Sequence, residues 1–93
     1  MELTKIEALG QFTALGTARR GFRGRIVSIL PVAETGQLPA EEMERRLIEM
    51  GFLEGAEVEI VHEAPFGRDP IAVRVGSATV ALHRRDAMAI LTE

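Results

Sequence analysis

The apolar period of this chain changes once, around Gly51 and Gly55, and that change places the junction between helix and sheet. Met43, Leu47 and Met50 recur at the spacing of one helical face. Gly51 follows the last of them, where a left-handed residue closes a helix without a Cβ penalty, and Phe52 then falls where it packs back onto Leu47. From Ala56 the period is two, with Val58 and Ile60 on one face and Glu57 and Glu59 on the other. Upstream, Pro39 suits the first helical turn, and Glu41 and Glu42 complement the positive end of the helix dipole. Glu41 with Arg45 and Glu42 with Arg46 form i,i+4 pairs in the favourable orientation.

The second strand runs over residues 57–63. Ala64 to Pro70 is a turn, because Gly67 supplies positive φ and two prolines bar continuous ladder pairing. Ile71, Val73 and Val75 alternate in a third strand, Gly76-Ser77 reverses the chain as a two-residue hairpin, and Ala78, Val80 and Leu82 continue the buried face in a fourth. One turn of helix is expected over 84–88 and a closing strand over 89–91. Before the helix, residues 25–30 read as a first strand ending at Pro31, and 34–38 as a loop. Glycines at 10, 16, 21 and 24 break any period, so 10–24 reads as a loop or extended arm, preceded by a short helix with a capping box at Thr4 to Glu7 or by a disordered lead-in. Five short strands in so small a chain are best closed on themselves. The expected fold is mainly β: a small SH3-like five-stranded barrel with a helix inserted between strands one and two and plugging one end. Residues 1–23 are expected to form an N-terminal arm or short helix, and 24–93 the domain.

At 93 residues the chain is one domain, and it has no cysteine, which excludes disulfides, thiolate metal sites and a cysteine nucleophile. No apolar run approaches the about 20 residues of a membrane span, and the opening residues lack the basic-then-apolar order of a signal peptide, so a cytoplasmic location is expected. Net charge is −3, unevenly spread. Arg19, Arg20, Arg23 and Arg25 lie early, whereas 40–66 is dominated by glutamate. That acidic middle, with no Trp or Tyr and only four Phe, argues against a nucleic-acid footprint over the whole surface. Ser28 and Ser77 lack a nucleophile-elbow context and there is no phosphate-binding Gly-x-x-x-x-Gly-Lys loop, so no enzyme is expected.

An ordered set of residues resembles the FeoA family, the small cytosolic proteins of bacterial ferrous iron uptake. The set is Gly24-Arg25-Ile26-Val27, Leu47, Met50-Gly51-Phe52, Gly55, the alternation from Val58, Pro65-Phe66-Gly67, Asp69-Pro70-Ile71, Val73, Val75, Ala81-Leu82, Asp86-Ala87 and Ile90. It covers residues 24 to 91. Three departures accompany it. Arg68 separates Gly67 from Asp69, which the family more often joins directly; His83 and Asp86 stand where the family often has arginine and glutamate; and the first dozen residues extend beyond the usual start. The resemblance implies a cytosolic accessory module with no cofactor that acts on FeoB, a membrane iron transporter with a cytosolic G domain, as a monomer or weak oligomer. It would meet the membrane through that partner. Similar domains also close some iron- or manganese-dependent repressors, so a metal-responsive regulatory domain is the alternative. A small nucleic-acid-binding barrel using the early arginines is another.

The expected partner-binding site is an exposed apolar cleft around Leu53 and Phe66, an aliphatic and an aromatic in loops, helped by Arg68 and the helix. Met50 and Phe52 read chiefly as core and are kept in the same candidate group. No metal site is expected; His62 and His83 are the only imidazoles available for one, and alternation puts His62 on the face of Val58 and Ile60. The early arginines read as a solvated face, or as a contact for acidic lipid headgroups or an acidic partner.

Overall fold

The structure is a computed structural model and describes residues 12–30 and 39–93. The expected N-terminal helix and the 34–38 loop lie outside these residues. Its elements are β1 (Thr13–Ala14), a 3-10 turn (Leu15–Thr17), β2 (Arg23–Ile29), α1 (Ala40–Glu49), β3 (Glu57–Glu63), β4 (Ile71–Val75), β5 (Ala78–Leu82), α2 (Arg84–Ala87) and β6 (Ile90–Thr92). The strands form one antiparallel sheet in the order β1-β6-β2-β3-β4-β5. The fold is mainly β and SH3-like, with the helix between the first two long strands.

Three points differ from the sequence expectation. A sixth strand, β1, pairs Thr13 with Thr92 and Ala14 with Leu91. The edge strands β1 and β5 do not pair with each other among the described residues, so hydrogen bonds do not complete the closure. Finally, the segment read as an arm up to residue 23 belongs to the domain from Thr13 onward. Leu15 is fully buried and Ala18 nearly so, inside the same core as Ile26, Phe52 and Ile90. The glycines that hid a period there serve close approach: a methyl on Gly16 would overlap the Arg84 carbonyl.

α1 ends as its sequence dictates. Gly51 has φ +102, its N–H donates to the Ile48 carbonyl at 3.0 Å, and the Phe52 N–H donates to the Leu47 carbonyl at 3.0 Å. That pair of bonds is a Schellman closure, and its customary apolar contact is supplied by Leu47 and Phe52, both with no exposed surface. Burying each such side chain contributes about 1.5–3 kcal/mol. The expected ion pairs Glu41–Arg45 and Glu42–Arg46 do not close within 4 Å among the described residues. These side chains are exposed, where the Coulomb gain barely offsets the entropy of holding two long chains together.

Two β-bulges adjust the sheet. Val27 is the extra residue where β2 meets β6, and Val61 where β3 meets β4. The second alters every face assignment beyond it. Ile60 lies opposite Val73, but His62 lies opposite Ala72 and Glu63 opposite Ile71. His62 is therefore exposed, contrary to simple alternation, and Glu63 is turned to the side of the buried Ile71.

Candidate functional site

The two exposed apolar residues proposed from sequence do not form one cleft. Leu53 precedes β3, in a loop held by the Gly55 N–H donating to the Ile26 carbonyl at 2.8 Å and the Ala56 N–H to the Leu53 carbonyl at 2.9 Å. Phe66 follows β3, in the turn closed by the Ala64 N–H donating to the Pro70 carbonyl at 3.0 Å. A seven-residue strand, about 20 Å long, lies between them. They are close in number, and the extended strand carries them to its two opposite ends.

At the first end Leu53 is 50% exposed and Ile48, on the last turn of α1, 41% exposed. Met50 is half-buried against the core. Phe52 has no exposed surface, so it supports this end from within and offers nothing to a partner. Sequence reasoning missed Ile48, although its place between Leu47 and Glu49 on an amphipathic helix put it off the buried stripe. Around this apolar end stand Glu49, Glu54 and Glu57, all exposed.

At the second end Phe66 is 90% exposed and Arg68, with φ +57, takes the left-handed conformation. Arg68 stands between Gly67 and Asp69, and the turn holds it in a backbone region that non-glycine residues seldom occupy. The turn is fixed from behind by Arg84. Its Nε donates to the Arg68 carbonyl at 2.7 Å, and its Nη1 to the carbonyls of Gly16 at 3.1 Å and Ala18 at 2.5 Å. Its Nη2 donates to Glu63 Oε1 at 3.0 Å. The same Glu63 oxygen accepts from the Arg20 N–H at 2.6 Å, while Asp69 Oδ1 accepts from the Arg84 N–H at 2.9 Å. The Arg20 N–H, above all, holds the Glu63 carboxyl below its ordinary 4.5; partial burial opposes this, and the charges of Arg84 and Arg68 add to it. One guanidinium thus ties the N-terminal segment, β3 and the β3–β4 turn together. Neither Arg84 nor Glu63 was singled out from sequence, since only the bulge at Val61 brings Glu63 inward.

A third feature is an open groove of about 890 Å³ across β2, β3 and β4, lined by Arg23, Arg25, Glu57, Glu59, Arg74 and Glu93 among others. Glu59 bridges Arg23 at 3.4 Å and Arg74 at 3.6 Å, so charge of both signs is largely self-compensated there. The early arginines are consequently divided: Arg23 and Arg25 belong to this groove, and Arg19 and Arg20 to the Glu63 end.

His62 lies on β3 and His83 just before α2, with β4 and β5 between them in the chain. His83 Nδ1 is 3.6 Å from Asp69 Oδ1. Among the described residues no three His, Cys, Asp or Glu side chains stand together in a metal-binding group. No helix among them is long and apolar enough to cross a membrane.

Comparison with known proteins places this geometry. Residues 13–93 match the FeoA domain family. No curated protein matches the chain. Among solved structures, the FeoA-like protein from Clostridium acetobutylicum is 27% identical with TM-score 0.72, over 88% of this chain and 85% of that one. FeoA of Stenotrophomonas maltophilia complexed with zinc, described as a procaryotic SH3 domain protein, is 26% identical with TM-score 0.72, over 87% and 89%. A manganese-dependent transcriptional repressor shares the fold at 23% identity and TM-score 0.67, over 87% of this chain and 40% of that one.

Proposed function

We propose, on the premise that this chain belongs to the FeoA domain family, that it is an accessory protein of bacterial ferrous iron uptake, a non-enzymatic cytosolic module that binds a FeoB-type transporter. The observation that carries this reading is the family match over residues 13–93, which takes in every strand of the sheet. Its relative from Stenotrophomonas maltophilia, for which a role as a ferrous iron transport activating factor has been put forward, agrees in fold and in most of its length.

The docking face of this reading is the end carrying Leu53, Ile48 and Met50. Leu53 is half-exposed in a loop fixed by the Gly55 N–H to Ile26 carbonyl and Ala56 N–H to Leu53 carbonyl bonds, so the side chain is presented from a defined backbone. Two aliphatic side chains set among glutamates suit a partner patch with an apolar centre and a basic rim. Binding of the cytosolic part of FeoB, measured by calorimetry for the native chain and for Leu53→Asp, tests this. Tight binding lost in the variant supports it, and no binding by the native chain overturns it.

A further inference from the structure

We propose that the β3–β4 turn is a docking tip for anionic lipid headgroups, with Phe66 entering the bilayer interface and Arg68, Arg19 and Arg20 binding the lipid phosphates. The proposal goes beyond the protein partner assigned to the Leu53 end and does not depend on it.

Phe66 is the most exposed large apolar side chain among the described residues, at 90%, and it stands between Pro65 and Gly67 with exposed neighbours on both sides. A protein hot spot is normally set in an apolar patch ringed by contacts, whereas a lone aromatic above a charged collar suits a fluid phase that closes around it. The collar is basic. Arg68 is two residues from Phe66, and Arg20 is tied to Glu63 at the base of the same turn, next to Arg19. All three arginines are exposed, and none is in an ion pair among the described residues. The acids nearby are engaged: Glu63 with Arg84, and Asp69 with His83 and the Arg84 N–H.

Charge elsewhere orients the molecule. The net charge is −3, and the exposed glutamates at 49, 54 and 57 lie at the close of α1, in its following loop and at the start of β3, the end of that strand opposite the turn. An anionic bilayer therefore repels the Leu53 end and attracts the Phe66 end. The Arg84 bonds fix the backbone of Arg68, so the tip keeps its shape on contact. The source of the phosphate is lipid and not free anion, because Phe66 adds nothing to the binding of a free ion.

The test is co-sedimentation of the whole chain with vesicles of phosphatidylcholine alone and of phosphatidylcholine mixed with phosphatidylglycerol, at low and high salt. Weak, reversible binding to the mixed vesicles only, screened by salt, is expected. Phe66→Ala, at a residue too exposed to support the fold, should weaken it about tenfold. Because the chain lacks Trp and Tyr, Phe66→Trp gives a sole indole whose emission should shift to the blue on the mixed vesicles. Leu53→Trp should not shift. Binding to neither vesicle, equal binding to both, or an unshifted Phe66→Trp would overturn the proposal. If vesicles are ignored while Phe66→Ala weakens binding to the cytosolic part of FeoB, the turn is a protein contact instead.

Discussion

Arg84 Nη2 lies 3.0 Å from Glu63 Oε1, with 19% and 16% of the two side chains exposed. The pair joins elements that are distant in sequence: Glu63 ends β3, Arg84 opens α2, and the guanidinium also binds the carbonyls of Gly16, Ala18 and Arg68. It serves as the anchor of the Phe66 end.

Arg84→Ala should lower stability by about 3 kcal/mol, since it strips a charged donor from three carbonyls and leaves Glu63 without its guanidinium. Arg84→Lys should recover little of this, because one ammonium cannot span acceptors on three segments. Urea unfolding of the three proteins measures both effects. Equal midpoints would remove the anchor from the account.

Glu63 gives the fold an acid limb of defined sign. Its carboxyl is held below the ordinary 4.5 in the folded state, so its contribution is complete above that value. The contribution is lost as pH falls from there through the folded-state value. Glu63→Gln should flatten the stability profile below the ordinary 4.5 and leave its slope above that value unchanged, read by unfolding midpoints at stepped pH. A profile parallel to that of the native chain would contradict the pairing.

Gly16→Ala should destabilise the protein through crowding alone. Gly16 is buried, and an added methyl overlaps the backbone carbonyl of Arg84 while also meeting the Met88 sulfur at 2.8 Å and its N–H nitrogen at 2.9 Å. Backbone on two sides has little room to yield, and overpacking of this kind costs about 1–3 kcal/mol. A thermal melt compared with Gly67→Ala separates the mechanisms, because Gly67 at φ +74 has open space around it and pays only for backbone conformation.

Phe52 and Leu53 are neighbours with opposite duties. Phe52→Ala empties a fully buried site and should cost about 3–5 kcal/mol. Leu53→Asp acts on a half-exposed side chain and should leave the melt within about 0.5 kcal/mol of native. Calorimetric melts of both variants check the contrast.

Much of the fold was legible because local signals agreed. The observed bounds of β3, β4 and β5 are those read from alternation, and α1 ends where Gly51 said it would. What was hidden depends on distant pairing. β1 has only two residues and exists because Thr92 and Leu91 accept it as a neighbour. The bulge at Val61 has no glycine or proline to mark it, yet it turns His62 outward and Glu63 inward. The docking residues were picked for their loops and character, which sequence displays. Their separation by the length of β3 is a property of the extended chain, and it divides one imagined cleft into two ends with different chemistry.

The most direct test of the central claim is an NMR titration of the labelled chain with the cytosolic domain of a FeoB transporter, with and without guanine nucleotide. The account predicts shifts clustered on Ile48, Met50 and Leu53, with Phe66 and Arg68 unmoved. No shifts anywhere, or shifts confined to the Phe66 turn, would contradict it.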